Sequence, residues 1–327
     1  MKVCTGDPQY DIAKWKRHYK RELRSESLSD NSLVLYDRVL DQFEAHISGS
    51  SLDSVKSIDS IFIRGFLEWL EDQHRERSGN QDFFYNENTK RLYVIILKGL
   101  LDYIEESAEL EKDGTRYSFA YEFKELNKKK RGRKAKKAGS ELKYFNGDEV
   151  MNLIDLLDRN IEERGRHYDY THSLAIRLML YGGLRVSETL GLKIDDVHID
   201  GEIVELRLED TKSGTTQFVP IRYIHIEKEL KYVLSLPYAK RSSYLVANRS
   251  LTIPLKRTNL YVKANKLYAE AKVFKKGLHI LRHTSAMMLL EKTNDVTLVQ
   301  ALLRHSSINT TSIYVHRNVK QLAEKVV

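Results

Sequence analysis

The chain has 327 residues, of which 41% are apolar and 31% charged, with a net charge of +8; that mix supplies a core and excludes a disordered chain. The single cysteine, Cys4, excludes an intrachain disulfide framework and a Cys-rich zinc module. No apolar segment follows Met1 and no apolar run approaches the ~20 residues of a membrane span, so a signal peptide and a transmembrane role are not expected, and the expected location is cytoplasmic.

Only 4 prolines and 16 glycines interrupt the chain, which allows long helices, and the length predicts two domains. Asp11 to Arg24 is basic with a sparse apolar stripe at Ile12, Trp15, Tyr19 and Leu23. Ser32 to Ile47 repeats apolar residues near a 3.6-residue period, and Ile61 to His74 adds Phe66, Leu67, Trp69 and Leu70. A fourth helix is predicted from about Asn88, capped by Asn88 or Thr89, through Leu92, Ile96, Leu100 and Ile104. Gly99 falls on its stripe; a helical glycine costs ~1 kcal/mol, or marks a close helix–helix approach.

The segment KKKRGRKAKK follows, with Lys128, Lys129, Lys130, Arg131, Arg133, Lys134, Lys136 and Lys137 and no acid. The 54 basic residues less these eight leave 46, matching the 46 acidic residues, so the whole net charge sits in this run. Such a run repels itself and reads as an extended linker. It is either a solvated tether or a strap along phosphates, where each neutralised phosphate releases counterions. A localisation tag or an anionic-membrane patch has the same composition. The expected divisions are an N-terminal helical domain over 1–123, a basic linker over 124–142 and a second domain over 143–327.

In the second domain, helices are predicted at Asp148 to Glu163, His172 to Tyr181 and Val186 to Leu192. The period then shortens to two at Ile203 to Leu208 and again at Gln217 to Ile221, with the polar turn DTKSGTT between them, which predicts a β-hairpin. Helices resume near Asn259, at Arg282 to Glu291, at Val296 to Leu303 and from about Thr310 to Val326. The fold class is therefore mainly α with a small antiparallel sheet.

Four segments of this domain carry chemistry together: YGGLRVSETL with Arg185 and Glu188, the hairpin turn with Lys212, LHILRHTSA with His279 and Arg282, and LLRHSSINTTSIYVH with His305 and Tyr314. Guanidiniums hold phosphate oxygens bidentately and keep their charge throughout turnover. A phenol, with a pKa near ~10, attacks only with help from a base or nearby positive charge, and a leaving alkoxide needs a proton donor. Each part has a plainer reading. H-x-x-R also occurs at His18/Arg21 and His74/Arg77 on polar helical surface, Arg185 with Glu188 can be an ordinary helix pair, and a turn lysine is usually just solvated. The order and the clustering carry the weight.

In that order the set resembles the tyrosine recombinase (phage integrase) superfamily, most like its Xer-type and simple integrase members, strongly over residues 143–327 and in pattern only over about 10–122. GGLRVSE, TKSGTTQFVP, HILRHT and HSSINTTSIYVH match its arginine, lysine, second-box and tyrosine motifs. The resemblance implies a helical core-DNA-binding domain and an α+β catalytic domain forming a C-shaped clamp on double-stranded DNA with inverted-repeat core sites. It implies Tyr314 as nucleophile, Arg185 and Arg282 as stabilisers of transition-state charge, Lys212 as general acid, His279 as proton acceptor and His305 as orienter of a phosphate oxygen. Glu188 supports the helix and His283 is a structural hydrogen-bonder. No cofactor and no metal are implied.

It further implies a homotetramer joined by C-terminal helices, a Holliday-junction intermediate, and use in dimer resolution or in integration and excision of mobile elements. About ten residues precede the first helix, which predicts no separate arm-type domain. Arg304 departs from the glycine usual before the histidine, and either shifts the turn or adds a phosphate contact. Three other readings compete. His279 and His283 stand at the i,i+4 spacing of a zinc pair, but Ile280 occupies the place of the needed glutamate and no third ligand follows. A type IB topoisomerase shares the chemistry, and a catalytically silent DNA-binding protein shares the fold.

Overall fold

The computed structural model describes residues 7–25, 28–107, 118–119, 143–210 and 215–304. The chain divides into two compact units, Met1–Lys136 and Lys137–Val327. The basic run, the hairpin tip with Lys212, and the segment with His305, Tyr314 and the predicted last helix lie outside the described residues.

Among its described residues the first unit holds four α-helices, α1 (Pro8–Ser25), α2 (Asp30–Ser48), α3 (Ser60–Ser78) and α4 (Glu87–Ser107). Their apolar stripes meet in one core in which Ile12, Trp15, Phe43, Phe66, Ile96 and Leu101 are buried. Asp59 caps α3 by accepting from the Phe62 amide at 2.7 Å, and Gly79 ends it at φ +67°. The cap of α4 is Asn86, which accepts from the Thr89 amide at 2.8 Å, so the helix begins earlier than the stripe indicated. Gly99 does mark a close approach: a Cβ there would collide with the Tyr19 hydroxyl of α1.

The second unit is built around α6 (His167–Tyr181), buried along nearly its whole length. Around it stand α5 (Gly147–Arg164), α7 (Val186–Gly191), α8 (Glu227–Ser235), α9 (Arg257–Glu270), α10 (His279–Thr293) and α11 (Val296–Leu303). Arg177 of α6 is buried with Glu229 of α8 at 2.8 Å and with Asp158 of α5 at 2.8 Å, so its charge is neutralised inside the unit. The helix starts a turn earlier than the apolar run, where Asp169 accepts from the Arg166 amide at 3.3 Å.

Among the described residues of this unit, one sheet has the order β1-β2-β3, formed by β1 (Val197–Asp200), β2 (Ile203–Asp210) and β3 (Thr215–Arg222), antiparallel throughout. Val204 pairs with Ile221 and Leu206 with Val219; all four are buried, while Glu205 and Arg207 alternate outward. The hairpin is as the alternation predicts. Two elements escaped the periodicity. β1 is four residues long and largely exposed, so the alternation of VHID is too brief to declare a strand; pairing with β2 makes it one. α8 buries two apolar residues, Leu230 and Val233, beside the charged Glu229 over nine residues, too few to declare a helical stripe. Among the described residues no helix is long and apolar enough to cross a membrane.

Candidate active site

The site grows from the turn between α6 and α7. Gly182 ends α6, its amide reaching the Leu178 carbonyl at 3.0 Å, and a side chain there would press on Ile221 Cδ1 at 2.8 Å. Gly183 takes φ +58°, a conformation that costs an L residue roughly 1–2 kcal/mol. That reversal lets the Gly183 carbonyl accept from Nη1 of Arg282 on α10. Nη2 of Arg282 is bound by the carbonyl of Leu303 at the end of α11. Arg282 is 5% exposed, so its planar fork is fixed by two backbone carbonyls from separate parts of the unit.

Arg185 is the N-cap of α7, with φ −72° and ψ 152°, and Glu188 closes a capping box by accepting from the Arg185 amide at 2.6 Å. The same carboxylate accepts from Arg185 Nη1 at 2.6 Å. The Arg185 side chain stays 42% exposed, so its guanidinium is available to a ligand. Glu188 also receives Arg304 Nη2 at 2.6 Å and stands 3.9 Å from Arg282 Nη1. Burial acts to raise the Glu188 carboxyl, but Arg304 together with the Arg185 amide and guanidinium outweighs it and holds the carboxyl below its ordinary range. Three arginines thus share one carboxylate.

His279 opens α10 one turn before Arg282 and is exposed to solvent. Partial desolvation, then the positive charges of Arg257, Arg282 and Arg185, hold its imidazole below the ordinary histidine range. That shift favours the neutral imidazole, the form that can accept a proton. His283, a turn further on and half-buried, is lowered mainly by burial, then by His279 and Arg282.

Of the six residues expected to act on phosphate, Arg185, His279 and Arg282 lie near one another. Lys212, His305 and Tyr314 lie outside the described residues, as do all eight basic residues of 128–137. Glu188 supports its helix as expected, and in addition ties α7 to the end of α11. The motifs did not single out the Gly183 and Leu303 carbonyls, nor Arg257 beside His279. Arg304 keeps the turn, at φ 52° and ψ 46°, and points its side chain to Glu188. The one signal for it in the sequence was a bulky residue where a glycine fits best.

Residues 143–321 match the model of the phage integrase family. The tyrosine recombinase XerH of Helicobacter pylori is 28% identical over 285 residues, covering 84% of this chain and 71% of that protein. The tyrosine recombinase XerS of Lactococcus lactis is 25% identical over 284 residues, covering 83% of this chain and 79% of that protein. In fold, the chain is similar to the XerH site-specific recombinase bound to palindromic difH substrate, with a TM-score of 0.75 at 23% identity over 99% of this chain and 98% of that one. It is also similar to a lambda integrase tetramer bound to a Holliday junction, with a TM-score of 0.58 at 19% identity over 92% of this chain and 76% of that one. With more than half of its length matched by the family and the motif arginines converging on one pocket, the chain belongs to the phage integrase family, the tyrosine recombinases, and is Xer-like within it.

Proposed function

We propose that the chain cuts and rejoins double-stranded DNA at specific sites through a covalent link to Tyr314. The observation that carries the reading is the cluster itself: Arg282 fixed by two carbonyls, the exposed guanidinium of Arg185 beside it, and His279 at the start of the helix that carries Arg282.

A phosphodiester carries one negative charge, and attack by an oxygen nucleophile concentrates further charge on its non-bridging oxygens. Arg185 and Arg282 supply fixed, permanently charged donors where that charge develops. In the proposed step the Tyr314 oxygen bonds to phosphorus and its proton passes to His279. The bond from phosphorus to the 5′-oxygen breaks, and Lys212 donates a proton to that oxygen. His305 orients a non-bridging oxygen. The products are a 3′-phosphotyrosine and a free 5′-hydroxyl. Attack of a 5′-hydroxyl from a second duplex reverses the chemistry with exchanged strands and yields a Holliday junction. The covalent link keeps the phosphodiester bond energy, so no nucleotide cofactor is needed.

The basic residues of 128–137 bind backbone phosphates of the same duplex, which positions the protein without reading bases. Two inverted half-sites call for two protomers, and exchange between two sites calls for four, so the working assembly is a homotetramer. The test is Tyr314→Phe on a nicked substrate that traps the covalent step. The variant should bind the site as the parent does and form no denaturation-resistant adduct. An adduct that persists in the phenylalanine variant removes Tyr314 from the role of nucleophile.

A further inference from the structure

Arg304 stands in the left-handed region at φ 52°, where glycine is the unstrained residue and a side chain is a cost. It is nonetheless almost wholly enclosed, with 6% of its side chain exposed. Its Nη1 reaches the Leu302 carbonyl at 2.9 Å and its Nη2 reaches Glu188 Oε2 at 2.6 Å. Its buried Nε has no acceptor among the described residues. A strained backbone, a desolvated charge and an incomplete set of hydrogen bonds are a poor bargain for stability alone. What the placement achieves is electrostatic.

We infer that Arg304 is a positioning residue for cleavage: it takes Glu188 Oε2 while Arg185 Nη1 holds Oε1, and its charge offsets that of the carboxylate, so that the positive charge of Arg185 and Arg282 stays uncompensated for the scissile phosphate. The inference rests on the recombinase reading above. Arg185, Arg282 and Arg304 against Glu188 give the pocket a net charge of three less one, or +2. Without Arg304 the same pocket holds +1, and the guanidinium 2.6 Å from the carboxylate is then that of Arg185 alone. Glu188 Oε2 serves the Arg185 amide and Arg304 together, so the pair also ties the N-cap of α7 to the residue that precedes His305.

The experiment compares single-turnover cleavage of a trapping substrate with affinity for the uncleaved site. Arg304→Gly suits the local backbone and should fold, which a thermal melt checks. It should cleave on the order of tenfold to a hundredfold more slowly, with site affinity changed by less than about threefold. Arg304→Lys should recover part of the rate, since it restores charge without the fork, and Arg304→Gln should not. The decisive protein is Arg304→Gly combined with Glu188→Gln. The glutamine still caps α7 but carries no charge, so the pocket returns to +2 and cleavage should rise above that of Arg304→Gly. A purely structural role makes the double variant no better than either single one, and that result overturns the inference. So does an Arg304→Gly protein that cleaves at the parental rate. If the parental protein itself forms no Tyr314-dependent adduct, the recombinase reading fails instead.

Discussion

Replacing Glu188 by alanine removes the one carboxylate that the three arginines of the pocket share. Arg282 and Arg304 have side chains only 6% exposed, and water cannot take the place of the lost charge without opening the pocket. Breaking a buried pair in this way costs about 3–5 kcal/mol, and loss of the capping bond to the Arg185 amide adds about 1 kcal/mol. Arg185 itself, 42% exposed, is screened by solvent and contributes little to the loss. For a unit the size of Lys137–Val327, each kcal/mol moves the melting temperature by ~2–4 °C. The expected fall in the melt of that unit at pH 7 is therefore roughly 8–24 °C. The sign of its pH dependence follows from the depressed carboxyl. A group whose folded pKa lies below its unfolded value stabilises fully above the unfolded value, ~4.3, and loses that contribution as pH falls through the folded one. The gap between parent and Glu188→Ala, followed by circular dichroism, should be constant from pH 6 to 8 and shrink below about pH 4. A fall of less than about 2 °C at pH 7, or a gap that persists unchanged in acid, would refute the shared-carboxylate account.

Gly183→Ala should cost about 1–2 kcal/mol in a denaturant melt because of its φ of +58°, and should slow cleavage further than that loss explains, since its carbonyl holds Arg282. Lys212→Ala should lose cleavage on ordinary DNA and regain it on a 5′-phosphorothiolate substrate, whose leaving group needs no proton; failure of that rescue removes Lys212 from the acid role. Replacing the eight basic residues of 128–137 by Gln and Ser should weaken binding to specific and random duplexes alike and flatten the salt dependence in a titration, whereas a loss confined to the specific site contradicts phosphate binding. Deleting residues 318–327 should leave single-site binding intact and abolish the tetrameric complex in sedimentation; a large drop in melting temperature with loss of DNA binding places that segment in its own unit's core instead.

The sequence by itself determined the helices whose stripes are long enough to repeat, such as Ser32 to Ile47, and the hairpin whose inner residues alternate from Val204 to Ile221. These patterns are local, because the side chains that share a face recur every three to four residues in a helix and every two in a strand. It also determined which arginines and histidine to examine, since Arg185, His279 and Arg282 stand within motifs whose order is readable along the chain. Tertiary structure decided what those motifs do to one another. β1 became a strand only by pairing with β2. Arg282 is aimed by the carbonyls of Gly183 and Leu303, 99 and 21 residues away, and Arg304 meets Glu188 across 116 residues. No local propensity encodes such pairs. They exist because packing α10 and α11 against the turn before α7 buries charges that must then find each other, and it is that requirement, not the motif, that makes the pocket.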